Sequence, residues 1–388
     1  MKKSIICLLS MFIAIFVVLT GFCDGVVYAK SDDKDHLKIS AKSALLIDYD
    51  TGTVIYEKNQ HERLPIASMT KLATLSLVFD AIDKGIIKST DMVNISENAA
   101  SVGGSTAFLD AGSSYKIEDL IKTVIIASAN DSSVALAEHL AGSEEMFVSK
   151  MNKLSEKLGL NDTRFENCTG LPHDNHYSSA HDMAEIYKTV CNHELYKKDS
   201  KIWMEDFVHP SGRKTGLVNT NRLVKTFDGI EGGKTGYTDA AKFCLTTSAK
   251  RGNMRLIGVV IGVSDSKTRF AEMSKLLNFG FANYQNKVVA TKEVPLSIVA
   301  LPKAKQKIEI YAEHDCVKFL PKTQEMNFTT EFKIDENIKA PLNAGSVVGK
   351  LYVFDENNMV VEEINLIIKQ NVETVGFKET MKKLVERW

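Results

Sequence analysis

A chain of 388 residues, 44% apolar and 25% charged, has the size for two or three domains and a sizeable core. Its formal net charge of -1 lacks the basic face that nucleic-acid binding requires, so no nucleic acid is expected. Six cysteines suggest a disulfide set only until the N-terminus is read.

Lys2 and Lys3 precede an apolar run from Ile5 to Thr20, and Val27-Tyr28-Ala29 is a small-x-small cleavage site. Residues 1–29 are expected to be a secretory signal peptide cut after Ala29, a retained membrane anchor being the alternative. Either places the bulk of the protein outside the cytoplasm. Cys7 and Cys23 leave with the signal. Cys168, Cys191, Cys244 and Cys316 remain, far apart, and read as free thiols. With no C-x-x-C or H-E-x-x-H, no metal is expected.

After a charged linker, SALLIDYDTGTVIYEKN predicts a hairpin turning at Asp50-Thr51-Gly52. LPIASMTKLATLSLVFDAI predicts a helix from Ser68 to about Asp83. IEDLIKTVIIASANDSSVALAEHLAG predicts two helices around a short polar break, the second closed by Gly142, and EEMFVSKMNKLSEKLGL another amphipathic helix. Residues 165–181, rich in Gly, Pro, His and Asn, predict an ordered loop. KFCLTTSAKRGNMRLIGVVIGV reads as a second hairpin and SKTRFAEMSKLLNFGFANY as a closing helix. Strands at both ends with helices between them predict an α/β sandwich around an antiparallel sheet. Near residue 288 the texture changes to short alternating strands, a smaller all-β domain. The tail places Phe377, Met381, Leu384, Val385 and Trp388 on one stripe of a basic helix, which suits an in-plane membrane helix or, alternatively, one docked on the β domain. The expected organisation is signal 1–29, a main domain 30–287, a β domain 288–373 and an amphipathic helix 374–388.

Ser68 and Lys71 stand three apart, on one helix face. A serine hydroxyl is a weak nucleophile and needs a base, and a lysine serves if burial and a second cation lower its pKa. Alone, the pair also reads as an N-cap serine beside a surface lysine. ASANDSS puts Ser128 and Asn130 in the polar break, and GGKTGYTDAAKFCL puts Lys234, Thr235 and Gly236 just ahead of a strand. A second Lys-Thr-Gly occurs at Lys214-Thr215-Gly216. Each signal is weak by itself. Together, S-x-x-K, S-x-N and K-T-G in this order match the penicillin-binding set.

On these motifs the chain resembles the D-alanyl-D-alanine carboxypeptidases, low-molecular-mass penicillin-binding proteins of peptidase family S11. ISENAASVGGSTAFLDAG, TGLPHDNHYSSAHDMA and NTNRLV extend the resemblance over nearly the whole chain. It implies an α/β serine β-lactamase/transpeptidase-like domain, a small all-β domain and a C-terminal amphipathic helix. It selects Lys234, flanked by Asp228-Gly229-Ile230 and Tyr237-Thr238, over Lys214. It implies Ser68 as nucleophile, Lys71 as base and Ser128 as proton relay. Asn130, Lys234, Thr235, Gly236, Tyr237 and Arg269 become substrate-binding residues. The implied substrates are peptidoglycan stem peptides ending in D-Ala-D-Ala, with β-lactams as inhibitors, no cofactor, and attachment to the outer face of the cytoplasmic membrane. Alternatives are a class A-like serine β-lactamase, which would need a water-activating glutamate such as Glu166, a D,D-endopeptidase, or a non-catalytic β-lactam-binding wall protein. Two departures from the family pattern stand out: Asn167-Cys168-Thr169-Gly170 where proline usually follows the asparagine, and Glu231-Gly232-Gly233 lengthening the lead into Lys234.

Overall fold

The computed structural model of the protein describes residues 37–376. The expected signal peptide and the amphipathic stripe from Phe377 onward lie outside the described residues. Thr374, where that helix was expected to begin, forms an isolated bridge with Ala304.

Strands β1 (Ser43–Asp48) and β2 (Val54–Lys58) form the first hairpin. Its turn is held by the Asp48 carboxylate, which accepts from the Thr51 backbone N–H and hydroxyl at 2.8 Å each. Strands β3 (Lys234–Thr238), β4 (Lys242–Arg251) and β5 (Met254–Val263) complete an antiparallel sheet in the order β2-β1-β5-β4-β3. The Lys234 triplet is therefore itself a strand, not a lead into one. It pairs residue for residue with β4, from Lys234 against Thr246 to Thr238 against Lys242. A five-residue edge strand mixing lysine, threonine and glycine carries no alternation by which to see it.

Five helices cover one face: α1 (Lys71–Asp83), α2 (Ile117–Ile126), α3 (Asn130–Ala141), α4 (Glu144–Lys157) and α5 (Ala180–Cys191). Helix α3 ends at Gly142, whose φ of 84° is the left-handed stop the sequence predicts. Helix α6 (Ser266–Asn283) covers the other face. Strand β1 serves both layers because successive side chains point to opposite faces. Leu45 and Ile47 join the core under α1–α5, while Ala44 and Leu46 join the core under α6 with Met273, Leu276 and Leu277. Sequence reading missed α5 and a small hairpin, Met204–Val208 with Lys214–Val218, which contains the second Lys-Thr-Gly.

Strand β6 (Tyr284–Ala290) begins directly after α6, so the change of texture at 288 falls inside it. It pairs with Cys316–Pro321. A five-stranded antiparallel sheet follows, in the order Ser297–Val299, Ile308–Ala312, Val360–Ile367, Val347–Phe354, Thr329–Ile334, over its own core of Ile308, Ile310, Val348, Leu351 and Leu366. The Asn286 amide on β6 donates to Asp48 at 2.7 Å and to Asp50 at 3.2 Å, joining this unit to the first hairpin.

Leu46 is fully buried between β1 and α6. Leu46→Ala should remove about 2–5 kcal/mol of stability. Urea unfolding followed by circular dichroism should show a lower midpoint at unchanged slope.

Candidate active site

The chain enters the site through a 3-10 turn, Ala67–Thr70, that runs straight into α1. Ile66 occupies the cap position and makes no side-chain bond, so Ser68 is not spent as a helix cap. Ala67 has φ +49°, a left-handed conformation that a side chain tolerates only where its surroundings enforce it. One turn on, Lys71 Nζ lies 3.0 Å from Ser68 Oγ and 2.6 Å from the Thr169 carbonyl. Lys71 is 0% exposed. Burial pushes its pKa down to about 7, against the weaker opposing charges of Cys168 and Asp131.

Ser128 sits in the break between α2 and α3, again with positive φ, +64°. Lys234 Nζ donates to Ser128 Oγ at 2.7 Å and to the Thr235 carbonyl at 3.0 Å. Lys234 is 1% exposed. Burial first, then the charges of Lys71 and Arg269, holds its pKa well below the usual lysine value. Asn130, the first residue of α3, donates from Nδ2 to the Gly103 carbonyl at 2.6 Å, while its buried Oδ1 has no hydrogen-bond partner among the described residues.

Strand β3 lies against the serine turn because Gly236 has no side chain. A Cβ there would stand 2.5 Å from the Ile66 carbonyl oxygen and 3.2 Å from Ala67 Cβ. Thr235 is buried beside Lys234, and Tyr237 is half exposed, its ring against Phe243. Arg269 is not an exposed helix arginine. Only 6% exposed, it lies with Nη1 3.4 Å from the Gly236 carbonyl and 3.3 Å from that of Cys244, and burial lowers its pKa to about 10. It also lines a cleft of about 660 Å³ with Arg222, Lys225, Trp203, Thr220 and Ser266. Lys214, in contrast, is solvent-exposed and pairs with Asp206 at 3.4 Å.

The Asn167–Gly170 loop is firmly held without proline. Asn167 Oδ1 accepts from the backbone N–H groups of Thr169 (3.2 Å) and Gly170 (2.7 Å), and Thr74 Oγ1 donates to the Cys168 carbonyl at 2.7 Å. Cys168 supplies an N–H that proline lacks, and Glu144 accepts it at 3.0 Å. The longer lead into Lys234 is fixed as well: Asn221 donates to the Gly232 carbonyl at 2.8 Å and the Gly233 N–H to Tyr196 Oη at 2.9 Å. Glu166 pairs with Arg164 at 2.7 Å. Sequence reading missed Tyr196 and the Thr169 carbonyl; a backbone acceptor leaves no mark in residue types. The four cysteines among the described residues are free and buried. Among the described residues no cluster of three or more His, Cys, Asp or Glu side chains is placed to hold a metal.

A serine beside a buried, unpaired lysine, with a second such lysine on a second serine, is equipped for acyl transfer through a covalent serine adduct. Comparison with known proteins agrees with that class. Residues 29–265 match the family model for D-alanyl-D-alanine carboxypeptidase, and residues 284–374 match the penicillin-binding protein 5 C-terminal domain. The chain is 43% identical to D-alanyl-D-alanine carboxypeptidase DacF of Bacillus subtilis over 93% of its length and 94% of that protein. It is 34% identical to DacC of Escherichia coli, covering 87% of this chain and 86% of that one. Penicillin binding protein 5 from Haemophilus influenzae superposes with a TM-score of 0.68 at 33% identity, covering 87% of this chain and 98% of that one. The protein belongs to the peptidase S11 family of D-alanyl-D-alanine carboxypeptidases.

Gly170 has φ +84°, and a Cβ there would stand 1.9 Å from the Ala67 carbonyl oxygen. The left-handed backbone alone costs a side chain about 1–2 kcal/mol. Gly170→Ala should lower the unfolding free energy read from urea denaturation by more than that, because the serine turn must also move; a cost within the conformational value would show that the turn yields freely.

Proposed function

We propose that the protein is a serine-type D-Ala-D-Ala carboxypeptidase in which Ser68 is the nucleophile and a peptidoglycan stem pentapeptide is the substrate. The observation that carries this is the position of Lys71, buried 3.0 Å from Ser68 Oγ without an ion-pair partner among the described residues, with its pKa lowered to about 7.

Ser68 Oγ attacks the carbonyl of the penultimate D-alanine as its proton passes to neutral Lys71. The Thr169 carbonyl takes one lysine N–H and leaves the nitrogen lone pair for the hydroxyl. Collapse of the tetrahedral adduct breaks the amide C–N bond, and the departing D-alanine amine receives its proton through Ser128, which Lys234 holds. Water then hydrolyses the ester and restores Ser68. The oxyanion hole is the backbone N–H pair of Ser68 and Tyr237. Asn130 Oδ1, buried and unpaired, accepts a substrate amide N–H. The terminal carboxylate goes to Lys234 and Thr235, with Arg269 behind the strand adding positive potential. Gly236 lets β3 lie close against the serine turn, and the free edge of that strand is where the peptide pairs. β-Lactams acylate the same serine.

The chain reaches this substrate by secretion through residues 1–29, and the basic, apolar-striped stretch from Phe377 onward attaches it to the outer face of the cytoplasmic membrane. No helix among the described residues is long and apolar enough to cross one. The catalytic unit runs to Asn283, and the β-rich unit begins at Tyr284 with β6 rather than at residue 288.

The mature protein from Lys30 should release D-alanine from a D-Ala-D-Ala pentapeptide, and Ser68→Ala should not. Penicillin should block release through a covalent adduct on Ser68, seen by mass spectrometry. Rapid penicillin hydrolysis with the pentapeptide untouched would instead indicate a β-lactamase. A stable adduct with no D-alanine release would redirect the assay to cross-linked peptides.

The sign of the pH dependence follows from Lys71. Its neutral form is the base, so kcat/KM should rise with pH through an apparent pKa near 7. A profile flat from pH 5.5 to 8.5 would remove Lys71 as the base.

A further inference from the structure

His176 comes from the ordered loop ahead of α5 and has no part in the mechanism above. It is 5% exposed, with its ring edge-on to Phe165 at 5.6 Å. Its hydrogen bonds fix its tautomer. Nδ1 accepts the Glu166 backbone N–H at 3.2 Å, so in the neutral ring the proton is on Nε2. Nε2 lies 2.7 Å from Thr70 Oγ1, which lies 2.8 Å from the Ala67 carbonyl. The donor order is thus settled along the whole chain: Glu166 N–H to Nδ1, Nε2–H to the Thr70 hydroxyl, and that hydroxyl to the Ala67 carbonyl. The terminus is the residue before the nucleophile, held at φ +49°.

We infer that His176 is a positioning residue, which through the Thr70 hydroxyl holds the strained Ala67 peptide so that Ser68 is presented to Lys71 and to the substrate. A hydroxyl alone could rotate away from the Ala67 carbonyl. With Nε2–H donating into its lone pair, its own hydrogen is directed at that carbonyl, and the donated bond strengthens the one it makes. Gly170 also packs against this carbonyl, so closely that a Cβ there would stand 1.9 Å from its oxygen. Ala67 is therefore clamped by a hydrogen bond and a close contact, which is what a strained residue needs to persist.

This inference rests on Ser68 being the nucleophile. The experiment measures active-site-titrated kcat and KM for pentapeptide hydrolysis, and the acylation rate with penicillin, in wild type, His176→Leu, His176→Gln, Thr70→Val and the Leu/Val double variant. Ser68→Ala serves as the control. His176→Leu should lower kcat and the acylation rate by about 10- to 100-fold with KM little changed, the scale of a misplaced reacting group. Thr70→Val should lose a similar factor, and the double variant no more than either single one. His176→Gln, whose amide nitrogen can replace Nε2–H, should recover most of the rate. Multiplying losses, a glutamine variant as slow as the leucine one, or variants that melt earlier yet turn over at the wild-type rate per titrated site would each overturn the positioning role. If His176→Leu does not fold, Thr70→Val and His176→Gln still decide it. A wild type that forms no adduct on Ser68 would overturn the nucleophile assignment itself, before any His176 variant is compared.

Discussion

Burying a lysine without a counter-charge is costly, and this protein does so twice in one cleft. Neither Lys71 nor Lys234 has an ion-pair partner among the described residues; each is satisfied by a hydroxyl and a carbonyl. The repulsion between them, with Arg269 behind, makes the cleft a place where positive charge is disfavoured and a carboxylate is favoured. That one electrostatic situation links the two tasks of the site. In the proposed reaction, the depressed pKa of Lys71 makes it a base near neutral pH, and the same lack of counter-ions favours the negatively charged end of a peptide.

The surrounding architecture exists to maintain that situation. The serine turn and the Ser128 break both adopt left-handed backbone at residues other than glycine, a strain of order 1–3 kcal/mol each that only well-packed neighbours sustain. Those neighbours are supplied from distant parts of the chain: β3 against Ile66 and Ala67, the Asn167–Gly170 loop against Ala67 and Lys71, and Asn221 and Tyr196 on the approach to Lys234. Stability elsewhere in the sheet and its two cores is what allows the cleft to remain under tension.

Much of this was legible in the sequence because it depends on periodicity and order. The helices α1–α4 and α6 and the β1–β2 and β4–β5 hairpins show themselves by apolar spacing, and three short motifs in sequence suggest the cleft. The remainder is invisible for definite reasons. Strand β3 is too short and too polar to alternate. The 3-10 turn and the φ of Ala67 depend on Gly170, a hundred residues on. At Cys168, where the family pattern has proline, the N–H finds Glu144, a partner only folding can supply. Arg269 has the sequence context of a surface helix residue, and nothing local announces that it lies under β3 and β4.

The joint between the two units has a mechanical meaning. Strand β6 follows α6 with no slack, and Asn286 ties it to the Asp48–Asp50 corner of the first hairpin. In the sheet order β2-β1-β5-β4-β3, that corner and the reacting edge lie on opposite flanks. A pull or torque arriving through the C-terminal unit would enter the sheet at β1 and the end of α6. The serine turn and its lysines lie by the far edge strand, so a load on the C-terminal unit would reach them only across the sheet or along α6 through Arg269.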